Sequence, residues 1–264
     1  MIRGYAFTGV YYLLSVICVL LALPLLIVPG RAGLRWLIRR YTLSIRFALR
    51  WVEGIRTEIR GRENLPSGPF ILAAKHQSWG DGFLLYPEVD DIVFVTGDHL
   101  EKYPLVGGIL RKLGAIIIDT CGGGDRKAKS LAEGMEAARE AGERILIYPE
   151  GHLAPPGHHF RYKAGVWHMQ KAMKVPVVPV ATNLGCFWQQ QSIRKKTGKA
   201  VIEFLAPIQA GTDKAPFLAR LTRDIESASQ MLIAEAGHAV SAESILLEDP
   251  VKDAPVRPSV SAKP

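Results

Sequence analysis

Two patterns of apolar and polar positions follow one another along the chain. Residues 9–28 are twenty consecutive uncharged and mostly apolar positions, whereas short apolar runs alternate with amphipathic stretches after residue 53. At about 1.5 Å per residue, a twenty-residue helix spans roughly 30 Å, the hydrocarbon thickness of a bilayer. The first segment therefore predicts a membrane-inserted helix. Pro24 would kink it or mark a segment that dips into the membrane and returns.

Residues 34–51 mix arginines with apolar and aromatic residues, which is typical of an amphipathic helix at a membrane surface. Residues 1–52 contain no Asp or Glu, and this part of the chain carries Arg31, Arg35, Arg39, Arg40, Arg46 and Arg50. We expect these arginines to reach lipid phosphates. By the positive-inside rule, they also place the downstream chain on the cytoplasmic face. Residues 1–52 are thus predicted to form an embedded and interfacial helical segment.

The remaining pattern predicts an α/β domain over residues 53–239. Apolar runs indicate strands at 56–60, 70–75, 92–96, 115–119, 144–148, 177–182 and 200–205. Amphipathic stretches indicate helices at 81–87, 104–113, 124–141, 161–173 and 214–237. Strands that alternate with helices favour a mixed, largely parallel sheet flanked by helices. Residues 240–264 are rich in Pro, Ser and Ala, and we expect a mostly disordered tail there.

Composition narrows the class of protein. The 264 residues carry a net charge of +8, which favours an anionic partner such as lipid or an anionic substrate. Because the arginine block adjoins the apolar run, membrane lipid is the expected partner, and nucleic acid is not. The three cysteines have no CxxC spacing, so neither a disulfide framework nor a zinc site is predicted.

The candidate chemistry begins in the stretch "AAKHQSWGD", residues 73–81. His76 and Asp81 follow a predicted strand and are five residues apart. Five residues of a helix turn through about 500°, so the two side chains could meet only if the intervening residues fold back in a turn. Gly80 would permit such a turn. A carboxylate that contacts the imidazole would fix its tautomer for base catalysis. From the spacing alone, an ordinary polar turn remains the alternative.

A second candidate segment lies downstream. Pro149, Glu150 and Gly151 also follow a predicted strand, and Lys163 and Gly165 come shortly after them. A carboxylate and a glycine at a strand end can line the same cleft as His76, since ligands gather at one end of the strands in such sheets.

Taken together, these blocks resemble the bacterial lysophosphatidic acid acyltransferase family of membrane glycerolipid acyltransferases. The resemblance rests on four ordered motifs: His76 to Asp81, Pro149 to Gly151, Lys163 with Gly165, and the proline-containing apolar run at 175–181. The block "YPLVGGILRKLGAIIID", which ends at Asp119, is similar to a further family motif. The resemblance covers roughly residues 50–237.

The resemblance implies an acyl transfer without a covalent enzyme intermediate. His76 would act as general base, Asp81 would orient it, and Glu150, Gly151 and Lys163 would bind the acceptor. The acyl donor would be acyl-CoA or acyl carrier protein, with no bound cofactor. The protein would lie in the cell inner membrane with its catalytic domain on the cytoplasmic face. Ser78 is two residues from His76, lacks a nucleophile elbow and is interpreted as a turn residue.

The match departs from the family where basic residues are usual. His152 and Leu153 follow the third motif in place of threonine and arginine, Thr120 follows Asp119 in place of arginine, and Gly97 stands near the usual place of a lysine. Two explanations remain open. Arg111, Lys112, Arg126 or Lys163 could replace the missing cations, or the acceptor could be a lysolipid without a phosphomonoester. A lipid-binding relative without catalysis is a third reading.

Two other polar features are expected to have no metal or phosphate role. His152, His158 and His159 lie in one loop, but no cysteine or acidic residue completes a ligand set around them, so no metal is predicted. The glycines at 122–124 do not match a phosphate-binding loop, and Asp125 is interpreted as a helix cap.

Overall fold

The chain begins with two packed helices. A computed structural model describes residues 1–103, 105–118, 124–190 and 192–249. Helix α1 spans Ile2–Ile27 and α2 spans Ala32–Ala48, and a π-helical turn, Leu49–Glu53, extends α2. Gly54 ends this turn with a φ of 73°, a conformation that glycine adopts without strain. The predicted N-terminal helix is therefore present, starts earlier than residue 9, and contains Pro24 within it.

A seven-stranded sheet forms the centre of the molecule. Its strands are β1 (Ile55–Arg60), β2 (Ile71–Ala74), β3 (Ile92–Gly97), β4 (Ile116–Ile118), β5 (Arg144–Ile147), β7 (Val177–Thr182) and β8 (Gly198–Phe204). The spatial order is β1-β8-β7-β2-β5-β3-β4. Only the β7–β8 pairing is antiparallel, so β7, β2, β5, β3 and β4 present their carboxyl ends at one edge. The predicted mixed, largely parallel sheet is confirmed.

Helices cover both faces of this sheet. The remaining helices are α3 (Asp81–Leu85), α4 (Val106–Leu113), α5 (Gly124–Glu140), α6 (Gly165–Met173) and α7 (Lys214–Glu235). Alternate residues of β2 belong to different cores: Leu72 and Ala74 pack with residues of α1, α2 and α3, whereas Ile71 and Ala73 pack with residues of α5, α6 and α7. This period of two is the ordinary geometry of a strand buried on both faces.

A small second sheet corrects two boundaries of the sequence prediction. Strand β6 (His158–Phe160) pairs in parallel with β9 (Ile245–Leu247). The expected disordered tail from residue 240 is therefore wrong for 245–247, whose backbone is paired with β6, and 250–264 lie outside the described residues. The helix predicted from 161 begins only at Gly165, because the backbone N–H of Lys163 donates to the Pro149 carbonyl instead of entering a helix.

The two N-terminal helices share a core with the sheet. Phe7 of α1 and Ile45 of α2 are buried in the same apolar cluster as Leu72 of β2 and Val178 of β7. The outer side of α1 remains exposed, and this helix is long and apolar enough to cross a membrane. The boundary at residue 52 thus marks a change of composition and charge, whereas the apolar packing continues across it.

The arginine block contacts protein carboxylates more than the sequence suggested. Four of its six arginines form ion pairs with the body of the molecule: Arg31 and Arg35 with Glu143, Arg39 with Asp90, and Arg46 with Glu88. These four arginines therefore have carboxylate partners within the protein, and their contact with lipid phosphates stays a prediction. Glu143 is only 3% exposed, and a buried carboxylate needs such partners to offset its lost hydration. Arg40 and Arg50 instead lie over the rings of Trp36 and Trp51.

We expect the Glu143 pairing to stabilise the docking of α2. Glu143→Gln should lower the free energy of unfolding by about 1–3 kcal/mol, because it weakens charged hydrogen bonds to two guanidinium groups. Chemical unfolding of the detergent-solubilised chain measures this. Arg40→Gln on the same helix is the matched control, since Arg40 pairs with no carboxylate among the described residues. Equal stability of Glu143→Gln and wild type would contradict the docking role.

Candidate active site

His76 and Asp81 meet at the carboxyl end of β2. His76 follows this strand, and Asp81 is the first residue of α3. The His76 Nδ1 lies 3.0 Å from Asp81 Oδ2, and the same oxygen accepts the backbone N–H groups of Gln77 and Ser78, each at 2.8 Å. Asp81 is 1% exposed and His76 is half-buried. The turn that the sequence required is therefore present, and it holds the carboxylate at three points.

Small residues and a tryptophan shape this turn. The Gly80 N–H donates to Ser78 Oγ at 3.0 Å, and Ser78 is completely buried, as suits a turn residue. A Cβ on Gly80 would lie 2.5 Å from the ring of Trp188. Only glycine leaves room for that ring, so the side chain of residue 188 fixes how closely the turn approaches β7 and its following loop.

Tyr148 packs directly on the candidate base. Its ring stacks on the His76 imidazole with centroids 3.9 Å apart and an interplanar angle of 17°. The Tyr148 hydroxyl is buried and has no hydrogen-bond partner among the described residues, and the same holds for Asp81 Oδ1. Burial, and then the nearby Asp81 carboxylate, hold the pKa of Tyr148 well above its usual value. The phenol is therefore a neutral, rigid wall for the imidazole.

The Pro149–Gly151 segment forms a tight turn after β5. The Gly151 N–H donates to the Tyr148 carbonyl at 3.0 Å, and Gly151 has a φ of 71°. A Cβ at this position would lie 2.7 Å from Lys163 Nζ, so the glycine allows Lys163 to cross the turn. Lys163 is exposed, and its ammonium group has no hydrogen-bond or ion-pair partner in the part of the chain described here. This cation is therefore available to an anionic ligand.

Glu150 has a different environment from the one expected. Its side chain is completely buried, its Oε2 accepts the Phe160 N–H at 2.8 Å, and it lies 3.1 Å from Lys75 Nζ. Lys75 also donates to Glu226 Oε1 at 2.9 Å and to the His158 carbonyl at 2.7 Å. Burial raises the pKa of Glu150, and the Lys75 ammonium opposes that rise. Glu150 thus binds Lys75 and the loop backbone and has no exposed surface, and its acceptor role stays a prediction.

Three of the positions that depart from the family pattern lie in the described residues: Gly97 at the end of β3, His152 and Leu153. His152 lies half-buried near Lys163, and burial followed by the Lys163 charge lowers the pKa of this imidazole. The Leu153 carbonyl accepts the Gln190 amide at 3.1 Å. Asp119 and Thr120 lie outside the described residues, as does the side chain of Arg126.

Two of the proposed replacement cations already have partners. Arg111 pairs with Glu101 at 2.8 Å, and Lys112 donates to the Val28 carbonyl at 2.8 Å. Among the described candidates, Lys163 is therefore the cation left beside the Pro149–Gly151 turn.

The three loop histidines have separate contacts. His152 packs edge-on against Phe160, His158 Nδ1 lies 3.0 Å from the Pro156 carbonyl, and His159 Nδ1 lies 2.7 Å from Ser244 Oγ. Within the described ranges, no group of three His, Cys, Asp or Glu side chains is placed to hold a metal ion.

Comparisons of the sequence and the fold with known proteins indicate the class of protein to which the chain is similar. The sequence model of the acyltransferase family matches residues 56–183, which include His76, Asp81 and the Pro149–Gly151 turn. Residues 56–183 thus carry the sequence pattern of this acyltransferase family, and the predicted resemblance is confirmed.

Individual relatives agree with this assignment. A Pseudomonas aeruginosa protein named 1-acyl-sn-glycerol-3-phosphate acyltransferase is 31% identical over 65% of this chain and 66% of its own length. A Saccharomyces cerevisiae protein of the same name is 26% identical over 69% of this chain and 57% of its own length. The aligned part thus spans less than two thirds of each of these two curated relatives.

A solved structure supports the fold over a larger share of the chain. The 1-acyl-sn-glycerophosphate acyltransferase of Thermotoga maritima has a TM-score of 0.71 and covers 88% of this chain and 97% of its own chain, at 20% sequence identity. The α/β fold with an N-terminal helical segment is therefore shared with that protein.

Sequence reasoning missed Lys75 and Tyr148. Lys75 ends the apolar run "FILAAK", and a lysine at the end of a fully buried strand needs a carboxylate nearby. That rule could have identified Glu150 as its partner, because β5 lies beside β2. The stacking of Tyr148 on His76 had no comparable signal, since it depends on how the β5 and β2 ends are aligned.

We expect substitutions of Tyr148 to separate its ring from its hydroxyl. Tyr148→Phe keeps the stacked ring and removes a buried hydroxyl without a partner, so the free energy of unfolding should stay equal or rise by about 1 kcal/mol. Tyr148→Leu removes the ring and should lower the free energy of unfolding by about 1–3 kcal/mol. Urea unfolding compares the two. Loss of more than about 1 kcal/mol in Tyr148→Phe would show that the hydroxyl has a partner.

Proposed function

We propose that the protein is a membrane-bound O-acyltransferase that acts on a lysolipid. It would move a fatty acyl group from acyl-CoA or acyl carrier protein to the free hydroxyl of 1-acylglycerol-3-phosphate and give phosphatidic acid. The hydrogen bond between His76 Nδ1 and Asp81 Oδ2 is the observation that carries this proposal. The Pseudomonas and yeast relatives are both named 1-acyl-sn-glycerol-3-phosphate acyltransferases, which supports the choice of acceptor.

The geometry of His76 suits a general base. With Asp81 Oδ2 accepting a hydrogen bond from Nδ1–H, the lone pair of the imidazole lies on Nε2. Asp81 cannot turn away easily, because two backbone N–H groups hold the same oxygen. After proton transfer, this carboxylate would stabilise the imidazolium. A positioned base of this kind contributes about 10²- to 10⁴-fold to a rate.

The reaction needs no group beyond the acceptor, the thioester and these side chains. Nε2 removes the proton of the lysolipid hydroxyl as its oxygen attacks the thioester carbonyl. A C–O bond forms, and the C–S bond of the tetrahedral intermediate then breaks. The thiolate leaves and takes up the proton from His76. Ser78 is buried in the turn, which supports direct transfer to the lysolipid in place of a serine-bound acyl intermediate.

Lys163 and Gly151 are assigned to the acceptor. Lys163 Nζ crosses the Gly151 turn and is exposed, so an acceptor phosphate could form a charge-assisted hydrogen bond with it, about twice as strong as a neutral one. Glu150 would act indirectly in this scheme. It fixes Lys75 and the backbone of Phe160, and these contacts hold the loop that carries Lys163.

The membrane position follows from the exposed side of the first two helices. Trp36, Phe47 and Trp51 of this region are exposed, as are many apolar residues of α1. Arg40 and Arg50 lie beside these tryptophans and are suited to anionic lipid headgroups. We infer a protein of the bacterial inner membrane whose catalytic domain lies on the cytoplasmic face.

His76→Ala should abolish acyl transfer and leave membrane attachment unchanged. A fall of at least about 10²-fold is expected, because the base is lost while α1 and α2 are untouched. Transfer of a labelled acyl group from acyl-CoA to lysophosphatidic acid is measured on the membrane-reconstituted full chain. His168→Ala, at an exposed histidine of α6, is the matched control. Retained turnover in His76→Ala would overturn the catalytic assignment.

Lys163→Gln should weaken binding of the acceptor more than it slows acyl transfer. The KM for lysophosphatidic acid should rise about tenfold, because one charged hydrogen bond to phosphate is lost. The KM for lysophosphatidylcholine should change little. Lys171→Gln, at an exposed lysine of α6, is the control.

The same acceptor panel tests the alternative that the departures from the family pattern suggest. The wild-type protein could instead prefer lysophosphatidylcholine, lysophosphatidylethanolamine or a lyso-aminolipid. That result would mean that its acceptor differs from lysophosphatidic acid and that Leu153 is one of the sequence changes that accompany this difference. If none of these lipids is acylated in a His76-dependent way, the chain is better described as a lipid-binding relative.

A further inference from the structure

A groove follows α7 on the face of the sheet opposite His76. It has a volume of about 730 Å³ and lies between α7 and the segments that carry β6 and residues 242–244. One face of α7 lines it through residues spaced by four: Lys214, Leu218, Thr222, Glu226 and Gln230. Sixteen residues of helix correspond to roughly 24 Å. The groove is therefore long, and its volume is typical of small-molecule sites, which measure about 300–1,000 Å³.

The groove is separate from the catalytic pair. Glu226 lines it and accepts hydrogen bonds from Lys75 Nζ at 2.9 Å and Tyr162 Oη at 2.8 Å. Lys75 continues the side of β2 that packs on α7, whereas His76 points to the opposite side with Asp81. The sheet end thus lies between the groove and the candidate base.

Positive charge is in excess along the groove. Arg161 and Lys214 line it, are exposed, and have no ion pair or hydrogen bond from their side chains to any described residue. Arg223 also lines it, although it pairs with Asp224 at 2.9 Å. The lining carboxylates are Glu226, which is already bound to Lys75, and Glu243, which is not. Since Lys214 and Arg223 lie at different points along α7 and Arg161 lies on the segment after β6, an extended anionic ligand fits them better than a single small ion.

Gln230 supplies an independent indication of a ligand. Its side chain lines the groove and is only 6% exposed, yet neither its amide nitrogen nor its amide oxygen has a hydrogen-bond partner among the described residues. A buried amide left in this state costs about 1–3 kcal/mol per group. A ligand with a donor and an acceptor side by side, such as an amide or a nucleobase edge, would satisfy both atoms.

We propose that this groove is a second ligand site, for an extended phosphate ester that also carries an amide or nucleobase edge. Lys214, Arg161 and Arg223 would contact phosphates, the apolar wall at Leu218 would pack against the ligand's carbon skeleton, and Gln230 would pair with its amide or base. Two sources share this chemistry: the phosphopantetheine portion of coenzyme A, and a free nucleotide. The proposal concerns binding alone and does not require the catalytic assignment of His76.

Titration calorimetry of the detergent-solubilised full chain with coenzyme A, ADP and inorganic phosphate tests the proposal. We expect coenzyme A or ADP to bind, and Arg161→Gln with Lys214→Gln to weaken that binding by about tenfold or more. The control pair Lys129→Gln with Arg139→Gln, which removes one lysine and one arginine from exposed positions on α5, should bind as wild type does. Gln230→Leu should also weaken binding while its unfolding free energy stays at or above that of wild type. His76→Ala should leave the groove-dependent affinity unchanged.

The pattern of affinities identifies the source and can reject the site. Tighter binding of coenzyme A than of ADP would assign the groove to the pantetheine arm, and equal binding would assign it to the nucleotide. The proposal is overturned if neither molecule binds, or if the groove variants bind as well as the control pair. It is also overturned if inorganic phosphate binds as tightly as coenzyme A and Gln230→Leu has no effect, because the cations would then act only as a surface patch.

Discussion

The buried ammonium of Lys75 is the constraint on which the arrangement of the site depends. Lys75 is 1% exposed at the end of β2, and a lone charge in that position would be strongly unfavourable. Two carboxylates and a backbone carbonyl surround it, and they come from the β5 turn, α7 and β6. Satisfying one charge therefore brings three distant segments together. The next residue along the chain is His76, so the same contacts also fix the strand end from which the candidate base projects.

Because side chains alternate along β2, the buried ionic cluster and the candidate catalytic pair lie on opposite sides of the sheet. Lys75 and its buried carboxylates lie on the α7 side of the sheet, while His76, Asp81 and Tyr148 lie on the side of α3. Asp81 needs no contact with the Lys75 cluster, because the Gln77 and Ser78 N–H groups hold its oxygen. The two motifs that the sequence placed in one site thus have different tasks. The first holds the candidate base, and the second closes a buried ionic cluster and leaves Lys163 exposed beside Gly151.

The sequence predicted the sheet from local patterns, whereas the contact between His76 and Asp81 was expected from the family resemblance, since the spacing alone left an ordinary polar turn open. Fully apolar runs such as 177–182 bury both faces of a strand, and Gly80 permits one compact turn. It did not predict the role of Glu150, whose partner lies 75 positions away and is a lysine within an apolar run. It also failed at 245–247, a three-residue apolar run within a Ser- and Pro-rich segment that pairs with β6. Both failures concern contacts between segments far apart in sequence, where a local pattern marks one partner and leaves the other open.

The arginine block contributes to two surfaces: the contact of α2 with the body of the molecule and the exposed side of the first two helices. An acid-free stretch of 52 residues indicated lipid contact, yet four of its arginines bind carboxylates that precede β3 and β5. These pairs bring α2 onto the body of the molecule, and Phe7 and Ile45 complete the docking with apolar contacts. What remains for the membrane is narrower: the outer side of α1, the exposed aromatic residues Trp36, Phe47 and Trp51, and the two arginines stacked beside the tryptophans. Because the same helices pack on the sheet and expose this side, the orientation of the sheet edge that carries His76 relative to a bilayer is coupled to the core of the protein.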